Sequence, residues 1–384
     1  MKPSSNKNTS VFPHGHIDRS KWKRVKLGDL GYTYNGLSGK TKQDFDTGDA
    51  FYIPFLNVLE NTEIDINNLG RVKVSALEKQ VCVQKSDLFF NTSSETPEEV
   101  GMCAYLSQEL SNTFLNSFCF GFRLYDKCAV DPRFLTYLFN SVYGRRVISS
   151  LAQGVTRYNL SKERLLRSEI HLPPITEQHR IANCVNIVEE NIVETNTLIS
   201  KYEAIKKATV NLLLKQKQGW RNVKLGDVLK VCHGKCQHLV ESEAGLFPIL
   251  ATSGEIGRAN QFLYDKPSVL IGRKGTIDKP QYIETPFWTI DTLFYTKIAD
   301  GYIPKFVFYL CKTIDWASLN EASGVPSLSA NRIESIEVCV PQNMHEQKRI
   351  VAALDSIYNT LNGLKTQLEK SQAIKQGMMS YFFG

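Results

Sequence analysis

Five short stretches carry side chains at spacings that chemistry uses. "NGLSGKT" (Asn35–Thr41) sets glycines ahead of a lysine and a threonine, as a phosphate-binding loop does. That pattern also needs a glycine five residues before Gly39, and Tyr34 stands there. The stretch is read instead as a basic loop tip, with Lys40 and Lys42 facing solvent or phosphate. "CHGKC" (Cys232–Cys236), with His238 nearby, offers half of a metal site. Cys311 and Cys339 are isolated, so no second ligand pair completes it, and ordinary packing is the expectation. "IGRKGT" (Ile271–Thr276) places two basic residues between two glycines. Glycines let a backbone approach closely, and in one RNA-binding fold such a loop clamps the sugar-phosphate chain. Arg273, Lys274, Thr276 and Lys279 are therefore candidate nucleic-acid contacts, joined in the same half by Lys235 and Arg258. Hydroxyls and amides also contact phosphates and base edges. "NTSSET" (Asn91–Thr96) supplies Thr92, Ser93 and Ser94, and "GVTRYNLS" (Gly154–Ser161) supplies Arg157 and Tyr158.

No catalytic set accompanies these candidates. The only Pro-Pro, Pro173-Pro174, is flanked by Leu172 and Ile175, unlike the polar-Pro-Pro-aromatic loop of an adenine methyltransferase. No Gly-x-Gly cofactor loop and no Gly-x-Ser-x-Gly elbow occur. Catalytic residues, resident cofactor and metal are all expected to be absent.

The elements that must position these loops come in duplicate. "WKRVKLGDL" (Trp22–Leu30) answers "WRNVKLGDV" (Trp220–Val228) at an offset of 198. "PRFLTYL" (Pro132–Leu138) answers "PKFVFYL" (Pro304–Leu310) at 172, Gly154-Val155 answers Gly324-Val325 at 170, and "EQHRI" (Glu177–Ile181) answers "EQKRI" (Glu346–Ile350) at 169. Four matches in one order make a duplication. Nearly all the slippage lies between the first two matches. Residues 31–131 and 229–303 therefore differ in length and share little sequence, as two recognition surfaces on one scaffold would.

A long proline-free run follows each EQxRI. Val185, Val188, Ile192, Thr195, Ile199 and Tyr202 step by three and four, as do Leu354, Ile357, Leu361, Leu364, Leu368 and Ser371. Each run predicts about 60 Å of helix at 1.5 Å per residue. Such a stripe needs a partner, and a pseudo-twofold repeat would pair the two helices antiparallel. Glu177 and Glu346 read as helix-start residues. Within each half, "AFYIPFLNV", "DLFFN" and "FCFGFRLY", or "FPILAT", "SVLIG" and "FWTIDTLFY", read as strands. A helix follows at Pro132, with Asp131 as its N-cap, and at Pro304. Each domain is α+β.

Composition excludes several classes. No apolar run reaches the roughly 18 residues of a membrane span, and the N-terminus lacks a signal-peptide core. Nine scattered cysteines read as reduced core residues of a cytoplasmic protein. The net charge of +7 sits mostly in the first 24 residues, which carry six cations and one acid. Residues 25–175 carry 16 and 17, and residues 218–343 carry 13 and 13. DNA binding, if present, must use local patches.

The V-x-L-G-D opening, the variable domain, the "GVTRYNLS…LPPITEQHRI" closing phrase and the long helix, all repeated, resemble the specificity subunit of type I restriction-modification enzymes. The resemblance covers Trp22 to Gly384. It implies a leader (1–20, expected disordered), a target recognition domain (21–175), a spacer helix (176–217), a second recognition domain (218–343) and a second spacer helix (344–384). The helices would form an antiparallel coiled coil whose length sets the gap between two DNA half-sites. Double-stranded DNA, two methyltransferase subunits and motor/endonuclease subunits would be the partners, with methyl donor and ATP bound by them. Pro326 and Ser327 stand where the first half has Thr156 and Arg157, so Arg157 has no aligned counterpart. Two other readings share the repeat: a specificity subunit of a type II-like two-component system, and a coiled-coil scaffold that never touches DNA. Replacing residues 31–131 with another domain of this type should change one half-site of the methylated sequence and leave the other intact, as read by methylome sequencing.

Overall fold

A computed structural model describes residues 18–215 and 217–384. Residues 1–17 of the expected leader, and Gln216, lie outside the described residues. Arg19–Lys21 form one 3-10 turn capped by Asp18. Two compact units divide the chain: Met1–Glu194 with Leu368–Gly384, and Thr195–Gln367. Among the described residues no helix is long and apolar enough to cross a membrane.

The two units use the same strand plan. In the first, Gly31–Asn35, Cys119–Leu124, Leu88–Asn91 and Cys103–Tyr105 form a four-stranded sheet in that order. The second has Leu229–Cys232, Leu293–Ile298, Ser268–Gly272 and Gln281–Ile283 in corresponding places. Leu88–Asn91 and Ser268–Gly272 are buried at every residue, so each reads as an unbroken apolar run rather than an alternation. Each unit adds a three-stranded sheet with one parallel pairing. In one, Phe45–Ile53 lies between Gly70–Val72 and Thr113–Leu115; in the other, Phe247–Ala251 lies between Gly254–Ala259 and Trp288–Thr289. A two-stranded ribbon joins the opening and closing phrases of each half: Lys23–Lys26 with Glu169–Leu172, and Trp220–Lys224 with Glu337–Pro341. The diverged middles are thus one architecture with different loops.

Two strand expectations need correction. "AFYIPFLNV" is strand only to Ile53. Pro54 cannot donate to a ladder and instead opens the helix Phe55–Glu60. "FWTIDTLFY" is two strands, Trp288–Thr289 and Leu293–Ile298, split by a turn. The cysteines are also less uniform than expected. Cys103, Cys119 and Cys311 are buried, and burial raises all three thiol pKa values, that of Cys311 to about 12. Cys82, Cys128 and Cys236 are exposed.

The long helices run Ile175–Leu214 and Met344–Phe383. All twelve stripe positions are buried or half-buried. The pairing runs antiparallel within each unit. In the first, Glu189 meets Lys375 at 2.6 Å and Asn191 accepts from Ser371 at 3.0 Å. In the second, Lys365 meets Glu203 at 3.0 Å and Lys206 lies 5.6 Å over the Tyr358 ring. Rising numbers on one helix meet falling numbers on the other.

The recurring EQxRI phrase has a structural purpose. Gln178, 1% exposed, accepts from the Asp131 backbone N–H at 3.0 Å and donates to the Pro173 carbonyl at 2.8 Å. Gln347, also 1% exposed, accepts from the Ile303 N–H at 2.8 Å and donates to the Gly301 carbonyl at 3.1 Å. Asp131 and Ile303 are the N-caps of the matching helices Pro132–Asn140 and Pro304–Cys311. Ile181 and Ile350, three residues on, are buried in the core of their own unit. The glutamate of the phrase is a first-turn residue, and Arg180 beside Glu177 holds its carboxyl below the usual range. Gln347→Ala leaves the half-buried Ile303 N–H without its partner, at a cost of about 1–3 kcal/mol. A lowered denaturant midpoint for the intact chain, with the transition of the second unit affected first, is the expected result.

Candidate nucleic-acid interface

Two of the hydroxyl-rich stretches come together. Ser93–Ser94 pairs with Tyr158–Leu160, which in turn pairs with Ala152–Gln153. Thr92, Ser94, Arg157 and Tyr158 therefore share one small sheet and its turn. Ser93 is buried and Ser94 donates to Glu99 at 3.0 Å, while Arg157 is exposed.

The glycine-flanked basic loop of the second unit holds the same backbone place. Thr92 donates its N–H to the Phe118 carbonyl at 2.8 Å, and its carbonyl accepts from the Leu160 N–H at 2.9 Å. Arg273 donates to Thr292 at 2.9 Å and accepts from Leu328 at 3.0 Å. Ser94 pairs with Tyr158, and Gly275 donates to Pro326 at 2.9 Å; Ser93 pairs with Asn159, and Lys274 bridges to Ser327. Pro326 and Ser327 thus occupy the places of Tyr158 and Asn159, not those of Thr156 and Arg157. The latter two are an insertion peculiar to the first unit, so Arg157 has no counterpart for a geometric reason.

The phosphate-loop-like and metal-like stretches are a second matched pair. Leu37 donates to Leu115 at 2.8 Å, and Lys235 donates to Thr289 at 2.8 Å. A Cβ on Gly36 would lie 2.0 Å from the Asn116 carbonyl oxygen, and one on Gly234 would lie 1.9 Å from that of Ile290. Both glycines are there because the chain crosses the neighbouring backbone too closely for any side chain. Asn35 and His233 precede them in equivalent positions. Among the described residues no group of His, Cys, Asp and Glu is placed to hold a metal ion.

Lys40 does not reach outward. Its ammonium pairs with Glu78 at 2.5 Å and donates to the Lys73 carbonyl at 2.6 Å, and its side chain is 5% exposed. That pairing, with the Ser75 and Gln80 contacts, pulls the Glu78 carboxyl down to about 2. Lys42, two residues on, is exposed at the start of a short 3-10 turn. Arg258 is half-exposed and paired with Glu255 at 2.8 Å. Lys235, Lys274 and Lys279 are exposed, while Arg273 and Thr276 are partly covered. Arg273 rests its guanidinium on the Asp291 carbonyl at 3.2 Å.

In the second unit these loops bound a cleft of about 390 Å³. His233, Arg273, Lys274, Glu321, Ser327 and Asn331 give it a mixed polar wall, and Phe294 and Leu328 form its apolar side. The His233 ring stands edge-on to Phe294 at 5.0 Å. In the first unit the matching place has Lys162, which contacts Asn35 Oδ1 and lies 5.7 Å over the Phe120 ring. Sequence reasoning missed Asn35, His233 and Lys162. Extending the first repeat match by six more residues, still at an offset of 198, would have aligned Gly36 with Gly234 and exposed the pair.

One charged cluster lies away from this surface. Asp87 is fully buried, receives two guanidinium bonds from Arg123 at 2.8 and 2.7 Å, and accepts from the Tyr34 hydroxyl at 2.6 Å. Burial raises the Tyr34 phenol far above its ordinary range, and the Asp87 hydrogen bonds raise the Arg123 guanidinium. The cluster is an internal brace for the four-stranded sheet.

The model of the type I restriction modification DNA specificity domain matches residues 19–204 and again 217–375. Among solved structures, the S subunit of a type I restriction-modification system from M. genitalium is 17% identical, with 94% of this chain and 96% of that one covered at a TM-score of 0.70. A chain from a structure on assembly and conformational transition of the type I R-M system is also 17% identical, covering 97% and 99% at a TM-score of 0.51. Two copies of one domain model, laid over two units with one strand plan, place this chain in the type I restriction modification DNA specificity domain family.

Proposed function

We propose that each unit reads one half of a bipartite DNA sequence through its matched loop set, on behalf of a type I restriction-modification complex. Thr92, Ser94, Arg157 and Tyr158 with Lys42 serve the first half-site. Lys235, Arg273, Lys274, Thr276 and Lys279 serve the second. The chain itself does no chemistry in this reading. Two methyltransferase subunits supply adenine methylation, and motor/endonuclease subunits supply cleavage, with methyl donor and ATP bound by those partners.

One observation carries the reading. The backbone positions of Thr92 and Arg273 are fixed by the same two hydrogen bonds, yet the side chains they present differ completely. Asn35 and His233 repeat that contrast at the neighbouring turn. A common frame with unlike side chains is what two different half-sites require, since base edges are told apart by donor and acceptor pattern. Lys40, Ser93 and Arg258 are left out of the proposed contacts because their polar groups are buried or paired inside the chain.

Methylome sequencing of cells that express this chain with its neighbouring methyltransferase, with and without this gene, tests the reading. A split adenine motif that appears only with the gene is the expected result. Methylation independent of the gene would overturn it. On the duplex so identified, Lys274→Met should weaken binding and lower the slope of log affinity against log salt by about 1, the signature of one phosphate contact. Lys40→Met should leave that slope unchanged.

A further inference from the structure

Gly154-Val155 and Gly324-Val325 are repeated exposed tips that the polar loop set does not account for. Val155 is 88% exposed and Val325 is 67% exposed. Each lies just ahead of the segment zipped to a DNA-reading loop: Tyr158–Leu160 onto Ser93–Ser94, two residues beyond Val155, and Pro326–Leu328 onto Arg273–Gly275, directly after Val325. In the first unit the turn itself demands glycine. Gly154 has φ +128°, and a Cβ there would lie 2.0 Å from the Arg157 carbonyl oxygen. Nothing comparable demands the valine. An exposed turn is served better by Ser, Asn or Asp, whose side chains bond the local backbone. Other highly exposed aliphatics, such as Leu77 and Leu239, have no equal in the other half. The valine persists in both halves although the residues after it differ and one tip is two residues longer.

We infer that Val155 and Val325 are apolar readers of the DNA: each isopropyl group enters the groove and packs against base edges. The inference rests on the function proposed above. The flanking chemistry suits it. Arg157 stands beside Val155, and Arg273 and Lys274 stand on the loop bonded to the Val325 tip, so cations are at hand for phosphate while the tip reaches between the strands. A branched aliphatic group recognises the thymine methyl in the major groove, or the exposed face of a base step in the minor groove. Neither contact releases counterions.

The test uses the full chain with its modification subunits and a duplex carrying the motif found by methylome sequencing. Val155→Ala and Val325→Ala are compared with Val142→Ala, an exposed valine elsewhere in the first unit. Each tip variant should bind about tenfold more weakly, the loss expected for withdrawing two methyl groups from an apolar contact. The salt slope should stay unchanged. The loss for Val155→Ala should vanish on a duplex whose first half-site is scrambled, and that for Val325→Ala on one whose second is scrambled. Equal affinity of variants and parent would overturn the inference. So would intact DNA binding with loss of the modification subunits, which would make the tips a protein contact. Failure of the parent complex to prefer the motif would instead overturn the proposed function.

Discussion

Gln178 and Gln347 each close a polar junction inside an apolar core, and the rest of each unit depends on that junction. A helix N-terminus leaves backbone N–H groups without partners, and burying one unsatisfied is costly. In each unit the short helix after the sheet starts against the long helix, so its cap N–H points into the packed interface. The glutamine amide satisfies that N–H and a neighbouring carbonyl at once. Aliphatic residues alone could pack the two helices but could not fix their register. An amide that must meet two backbone groups fixes both rotation and height, and the tyrosines one turn further make the same connection. Tyr137 donates to Glu189 at 2.8 Å, and Tyr309 donates to Asp355 at 2.5 Å. From that junction the sheet is set, and from the sheet the loops.

The sheet separates what must stay constant from what must vary. Fully buried strands end in loops whose first residue is clamped by backbone bonds alone. Backbone bonds do not depend on side-chain identity, so threonine and arginine can occupy the same place without cost to the frame. The glycines at 36 and 234 are invariant between the halves for the opposite reason, since a neighbouring carbonyl fills the space where a side chain would go. At these clamped positions the side chain can change without disturbing the frame.

This division also explains what was legible in the sequence. The duplication, the two long helices, the N-cap at Asp131 and the buried central strands follow from offsets, periodicity and apolar runs, all local in the chain. The helix inside "AFYIPFLNV" was hidden because a proline-broken apolar run looks the same until its partners are known. The larger miss was treating "NGLSGKT" and "CHGKC", and "NTSSET" and "IGRKGT", as four unrelated motifs. They are two places seen twice. Their side chains differ by design of the frame, and their backbone bonds reach residues some 19 to 78 positions away, which a linear reading does not see. The inward turn of Lys40 was equally invisible, because its partner Glu78 sits 38 residues on, on a connection that is shorter in the second half.

Near-neutral charge in both domain bodies then ceases to argue against DNA. Much of it is spent inside the protein. Arg123 with Asp87, Arg133 with Asp131 and Lys40 with Glu78 each pair a cation and an acid of which at least one is buried, and a composition count treats them as surface. Close pairs cancel in the far field, and at the loops the exposed cations Lys42, Arg157, Lys235, Lys274 and Lys279 stand among exposed acids such as Glu95 and Glu321. A uniformly basic body would hold every DNA sequence with nearly equal strength, because phosphates are alike. On the proposed reading, a neutral body with a few cations placed beside varied polar side chains keeps the sequence-independent attraction small and leaves base contacts to decide where a complex stops.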